Sequence, residues 1–344
     1  MFVLDAEFAW PGGDRPGPPD FEHQPPPAVI AAITRAVASA FPAANDPDAQ
    51  LAALRPTTGP VGRYRLGTAH GAWFVRVSTR WGHPDLERAI TTDLSARGVS
   101  VNPLLVAGRP LAWNDDVFRV DVRPLIVGRH FNGSPGDLQQ LAATLAACHH
   151  ALLDSPRATA VRAAASARFE RLAKIRDLLV DALKRETFEL FAEQAAWAMR
   201  HRDWLALMAD GFEPRLDERP EAQCLHGEIH PGNVLFRADD GAAVLVDFEE
   251  SVHIFAPPAW DVAFLVQRFC LCDDPARARE RLAIVSRAYG PPVPDLAAMM
   301  RQAAWFSIAA ILDMRLSQGI ATPVGEYDKF VRLEREAQTF ERLP

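Results

Sequence analysis

The chain predicts an α+β protein of two lobes: a small, mainly antiparallel sheet lobe with one helix, followed by a larger, mostly helical lobe. Three observations predict it. Residues 63–122 hold short strand-like runs rich in Val, Phe and Trp, punctuated by Gly and Pro. After residue 128 the apolar residues recur at helical spacing over long segments. A single strand-loop-strand block, residues 224–250, interrupts those helices.

Residues 1–27 form an irregular N-terminal arm, dense in Pro, Gly and Asp from residue 11 on. Residues 28–125 make the sheet lobe. It opens with a helix over Ala28–Phe41, with Val29, Ile30, Ile33, Val37 and Phe41 on one side. Arg63–Leu66 and Trp73–Val77 form a hairpin around Gly67–Gly71. A helix spans 84–97, with Pro84 in its first turn. Leu104–Ala107, Leu111–Trp113 and Val117–Val122 read as three further strands, about five in all. Residues 126–344 make the helical lobe, with helices over 135–153, 159–182, 186–209, 275–289, 295–317 and 326–342.

Composition narrows the function. The 344 residues suffice for two lobes and a substantial core. A net charge of −7 argues against a nucleic-acid partner. Cys148, Cys224, Cys270 and Cys272 form no CxxC pair and read as reduced thiols of a cytoplasmic protein. The first residues lack a basic region followed by an apolar run, so no signal peptide is expected. The most apolar long segment, Ala303–Met314, is too short to cross a membrane and contains Asp313. The expected partner is a small-molecule substrate.

The most informative stretch is His226-Gly227-Glu228-Ile229-His230-Pro231-Gly232-Asn233, a loop running into a strand. A second strand, Ala243–Val246, then ends in Asp247. An acid, an amide and an acid at strand ends are the equipment of Mg²⁺-dependent phosphoryl transfer, which needs positioning and charge neutralisation more than covalent help. Glu228 is the candidate base, and Asn233 and Asp247 are candidate metal ligands. Arg76 is a lone cation in the apolar strand 73–77, where it could bind nucleotide phosphates, and Glu87 on the next helix could pair with it. The spacing of His226 and His230 could suggest zinc, but Gly227 and Pro231 argue against a helix there. Trp197, Trp204 and Trp305 read as core. Glu249 and Glu250 either face the acceptor or flank the metal ligand in solvent.

These motifs carry a resemblance. The 226–233 loop closely resembles the His-Gly-Asp-x-His-x-x-Asn loop of the aminoglycoside phosphotransferase and choline kinase-like family. The segment Val244–Glu249 resembles that family's metal-binding Asp segment, and Pro258–Ala263 its following Pro-x-x-Asp-Leu-Ala segment. The resemblance is strong over 224–264 and extends weakly over roughly 55–340. It implies a bilobal protein-kinase-like fold and ATP-dependent phosphorylation of a small-molecule hydroxyl, with ATP and Mg²⁺ as cofactors. It places Asn233 and Asp247 on Mg²⁺, Arg76 and Glu87 at the nucleotide phosphates, and residues 123–128 at the interlobe hinge. His226 and Asp261 would support the catalytic loop.

The chain departs from the pattern at two positions. Glu228 stands where the family has Asp; the basicity is nearly the same, but the arm is longer by a methylene. Arg76 stands where it has Lys, in a chain whose only lysines are Lys174, Lys184 and Lys329. The phosphate-covering loop, Arg55–Gly62, lacks a clean G-x-G-x-x-G. The expected function is therefore a small-molecule kinase, the alternative a kinase-like nucleotide-binding or regulatory protein with little transferase activity. A protein kinase fits less well, since Ser251 is the only hydroxyl between Asp247 and Asp261.

Overall fold

The computed structural model describes residues 23–343 except 39, 80, 81, 291, 292, 320 and 321. Most of the expected N-terminal arm, residues 1–22, lies outside the described residues. The chain divides into two compact units. One comprises the described residues up to Ala151 together with Asn233–Val252; the other comprises Leu152–Gly232 and the described residues from His253 on. The first unit is drawn differently from the lobe expected over 28–125: it runs on to Ala151 and takes in the 233–252 hairpin.

The first unit is built on a five-stranded antiparallel sheet in the order β1-β2-β3-β5-β4, from β1 (Gln50–Ala53), β2 (Gly62–Thr68), β3 (Gly71–Ser78), β4 (Val106–Trp113) and β5 (Asp116–Pro124). Helix α1 (Pro27–Ala38) buries Val29, Ile33 and Val37 in one core with Leu51, Tyr64, Val75, Val120 and Val122. Five strands are present, but they are not the five expected. Gln50–Ala53 carries no β-branched or aromatic residue and gives no local strand signal. Conversely, the two runs expected at 104–107 and 111–113 are one strand, β4, with a register shift between Val106 and Arg109. Gly108 provides the left-handed backbone (φ +63°) at that irregularity, and Pro110 is tolerated because β4 is an edge strand.

Helix α2 (Pro84–Ala96) buries Glu87, Ile90, Thr91 and Leu94, a 3.6-period face whose first member is charged. Strand β5 is buried along most of its length. Phe118, Val120 and Val122 enter the apolar core, while Arg119, Asp121 and Arg123 alternate with them. Glu87 is 1 % exposed and accepts from Arg119 (2.9 Å) and from Arg123. Arg119 Nε donates to Asp121 (2.9 Å), and the Gly108 N–H donates to the same carboxylate (2.8 Å).

The remainder of this unit is α3 (Pro135–Leu153) and a three-stranded sheet of β6 (Gly128–Arg129), β8 (Val234–Arg237) and β9 (Ala243–Leu245). Between them in sequence lies β7 (Gln223–Cys224), which belongs to the other unit. Gly128 pairs with Arg237 so closely that an added Cβ would run into the Phe236 carbonyl. Since the obstacle is backbone, Gly128→Ala is expected to cost about 1–3 kcal/mol, read from the urea midpoint. An unchanged midpoint would show that β6 yields at no cost.

The second unit is mostly helical. It contains α4 (Ala158–Arg185), α5 (Ala195–Arg200), α6 (Arg202–Gly211), a short pairing of β7 with β10 (Phe255–Ala256), α7 (Ala259–Leu265), α8 (Pro275–Tyr289), α9 (Leu296–Gln318) and α10 (Val324–Glu341). Helix α9 packs against α10, α7 and α4, which explains the apolar run noticed in sequence: Ala303–Leu312 is buried throughout. Trp197 and Trp305 are core residues as expected, each 1 % exposed. The helix expected over 186–209 is broken into a 3₁₀ segment, α5 and α6. Glu186 ends α4 in the left-handed region (φ 56°), and Ala192 (φ 40°) and His201 interrupt the stretch after it. Apolar spacing persists across those breaks, with no Gly or Pro to announce them. Among the described residues, no helix is long and apolar enough to cross a membrane. The four cysteines are free thiols, and burial pushes Cys224 up to about 11 and Cys270 up to about 12.

Candidate active site

Two groups of the expected residues are organised within separate units. In the helical unit, the backbone leaves β7 and turns at Gly227 (φ +91°). The turn is held from below by Asp261, in the first turn of α7 and 0 % exposed. Asp261 accepts from the backbone N–H of His226 and of Gly227, both at 2.9 Å. The Trp260 indole donates to the Gly227 carbonyl (2.9 Å). His226 is fully buried and accepts from the Glu228 N–H through Nδ1 (3.3 Å). Glu228 itself is partly exposed, with an oxygen 3.9 Å from His230 Nε2.

In the sheet-containing unit, β8 and β9 form an antiparallel hairpin with Val234 opposite Leu245. Asn233 precedes β8 and Asp247 follows β9, so both lie at the same end of the hairpin. The Val246 N–H donates to the Asn233 carbonyl (3.0 Å) and closes that end. Asp247 is held at φ 62°, a left-handed conformation that Asp tolerates better than most residues. Such strain is characteristic of functional positions.

Arg76, on β3 opposite Asp121, reaches this same end. Its NH1 lies 3.4 Å from both Asp247 oxygens, and its NH2 donates to Glu249 at 2.9 Å. Burial by itself would lower the Arg76 pKa; Asp247 and Glu249 outweigh it, and the guanidinium is held firmly charged. The pairing expected between Arg76 and Glu87 does not form. Glu87 is engaged by Arg119 and Arg123, which project from β5 toward α2. Glu249, for which two readings stood open, is a partner of Arg76. Sequence reasoning missed Arg119, Asp121 and Arg123; the signal was present as three charges alternating with Phe118, Val120 and Val122.

The donor set at the hairpin end is an amide and carboxylates, oxygen ligands that suit Mg²⁺. Among the described residues, no group of three or more His, Cys, Asp or Glu is gathered to hold a metal.

An antiparallel sheet with a buried charged helix contact, a helical unit, and an amide and an acid at one hairpin end make an α+β protein of kinase-like fold. The chain belongs to the phosphotransferase enzyme family, which it matches over residues 61–308. Among solved structures it is similar to a spectinomycin phosphotransferase bound to AMP, with a TM-score of 0.60 and 15% identity, covering 91% of this chain and 99% of that one. It is also similar to an amicoumacin kinase in complex with AMP-PNP, Ca²⁺ and Ami (TM-score 0.53, 15% identity, 85% and 88% covered). A microcompartment-associated aminopropanol kinase gives a TM-score of 0.51 at 13% identity, with 91% and 99% covered. At these identities the likeness is one of fold. No curated protein matches the chain.

Proposed function

We propose that the protein is an ATP- and Mg²⁺-dependent phosphotransferase acting on the hydroxyl of a small molecule. The observation that carries this reading is the hairpin end where Asn233 and Asp247 lie together and Arg76 reaches Asp247. Asn233 and Asp247 are the proposed metal ligands, and Arg76 the proposed phosphate contact, binding as a fork where lysine would act as a point charge. Bound Mg²⁺ would neutralise charge on the nucleotide phosphates. Glu228 is the proposed base: the acceptor oxygen attacks the γ-phosphorus, its proton passes to Glu228, and the bond to the β-phosphate breaks with ADP leaving. His226 and Asp261 hold the backbone that carries Glu228. Glu87 serves the nucleotide side indirectly, by fixing the arginines of β5 against α2. The free thiols support a cytoplasmic location.

The test is Mg²⁺-dependent ATP consumption across amino sugars, sugars, amino alcohols and hydroxy amino acids, with the phosphorylated product read by phosphorus NMR. Absence of acceptor-dependent turnover across the panel would overturn the proposal. Glu228→Gln is expected to lower kcat by about a hundredfold or more while calorimetry still records nucleotide binding. An unchanged kcat would remove Glu228 from the role of base.

A further inference from the structure

Glu87 cannot serve Arg76, because Arg119 (2.9 Å) and Arg123 already occupy it. Asp121 faces Arg76 across β3 and β5, but it is engaged by Arg119 Nε (2.9 Å) and the Gly108 N–H (2.8 Å). Among the described residues, Arg76 pairs instead with Asp247 and Glu249, and the two contacts differ. NH2 lies 2.9 Å from a Glu249 oxygen, the length of a charge-assisted hydrogen bond. NH1 lies 3.4 Å from each Asp247 oxygen, a looser contact spread over the whole carboxylate. The Asp247 side chain is 36 % exposed, against 21 % for Glu249 and 16 % for Arg76. The tight contact is therefore the covered one, and the loose contact is the one an incoming cation can reach.

The chain around Glu249 is itself held. Phe248 is fully buried, and its carbonyl accepts from both the N–H (3.1 Å) and the hydroxyl (2.6 Å) of Ser251. Asp247, in contrast, has two claims on it. A metal ion on that carboxylate would stand beside the guanidinium, and like charges at close range repel. Arg76 must therefore give up Asp247 when the proposed metal site fills. Burial opposes the charge on Arg76, but Asp247 and Glu249 raise its pKa, so the side chain moves as a cation. Its long stem has many rotamers, and only a fixed partner keeps it at the hairpin end.

We propose that Glu249 is the positioning residue of Arg76, in the role expected of Glu87: it keeps the guanidinium at the hairpin end while Arg76 exchanges Asp247 for the nucleotide phosphates. In the nucleotide-free protein Arg76 covers Asp247, so Mg²⁺ and nucleotide favour each other's binding. This rests on the phosphotransferase reading above and gives a role to a carboxylate which that reading leaves unused.

The test is calorimetry of the full chain with ADP and Mg²⁺, together and singly, on wild type, Arg76→Met, Glu249→Ala, Glu249→Gln and the double variant Arg76→Met with Glu249→Ala. Glu249→Ala should weaken ADP binding in the presence of Mg²⁺ by about tenfold. Glu249→Gln should lose less, since its amide oxygen still accepts from Arg76, and it keeps the test open if the alanine variant does not fold. In the Arg76→Met background, Glu249→Ala should cause no further loss. A loss of the same size with or without Arg76 would show that Glu249 acts on metal or nucleotide directly, and overturns the proposal. Without nucleotide, Arg76→Met should bind Mg²⁺ more tightly than wild type, because Asp247 is uncovered; equal or weaker binding also overturns it. A wild-type protein that binds no ADP would sink the nucleotide reading and this proposal together. ADP binding that depends on Glu249 only through Arg76, with no acceptor-dependent turnover, would sink the kinase reading alone.

Discussion

Asp247→Asn is expected to abolish nearly all phosphoryl transfer, by about a thousandfold in kcat, while the protein remains folded. The substitution removes a charge and changes little else. Asn is among the few residues that hold the left-handed backbone found at position 247 (φ 62°), so the hairpin end should keep its shape. Arg76 retains Glu249 at 2.9 Å and is not stranded. What is lost is the carboxylate at the end of β9, the harder and more strongly binding of the two proposed Mg²⁺ ligands. The checks are steady-state kinetics against Mg²⁺ concentration and a thermal melt. A kcat within tenfold of wild type at saturating Mg²⁺ would show that Asp247 is not the metal ligand.

Glu87→Ala is expected to cost roughly 3–5 kcal/mol of stability, the scale for breaking a buried charge pair by deleting one partner. Glu87 and Asp121 together balance Arg119 and Arg123, and all four are at most 5 % exposed. For Arg119, burial works against the charged form, and Asp121 and Glu87 more than offset it, so its pKa is raised. Without Glu87, two arginines share one carboxylate in a desolvated layer between α2 and β5. Arg123 also donates to the Asn102 carbonyl (3.2 Å), and the Asn102 N–H donates to Leu245 of β9 (3.0 Å), two residues before Asp247. The same substitution should therefore loosen the hairpin end as well as the sheet. Urea unfolding gives the stability change; adding Arg123→Met to Glu87→Leu should recover part of it, since the stranded charge is then gone. A loss below 1 kcal/mol would show that water replaces Glu87 without penalty.

Much of this architecture was legible locally. Helices α2, α3, α8 and α9 match their expected spans to within a few residues, because each combines a clear apolar period with a start signal or flanking polar residues. The β2–β3 hairpin was legible from its apolar runs about a Gly-flanked turn. The family assignment was legible from motifs in order, and the family match over residues 61–308 agrees with it. Strand β1 was not legible, since Gln50–Ala53 takes its conformation from pairing with β2 rather than from its own residues. The continuity of β4 was hidden by Gly108 and Pro110, which punctuate the sequence without ending the strand.

The choice of charge partners belongs to a different level. Arg76 was correctly singled out as a cation in an apolar strand, yet its partners lie 171 and 173 residues away in the chain. Glu87 was correctly placed on α2, but the arginines that claim it come from β5, whose register beside β3 no periodicity encodes. Local patterning and motif order suffice for the elements and the chemical family, because they depend on side-chain period and on a contiguous loop. Which acid meets which base was settled only when sheet register and helix packing brought distant residues into one desolvated neighbourhood, where the pairing of charges carries the largest energetic consequence.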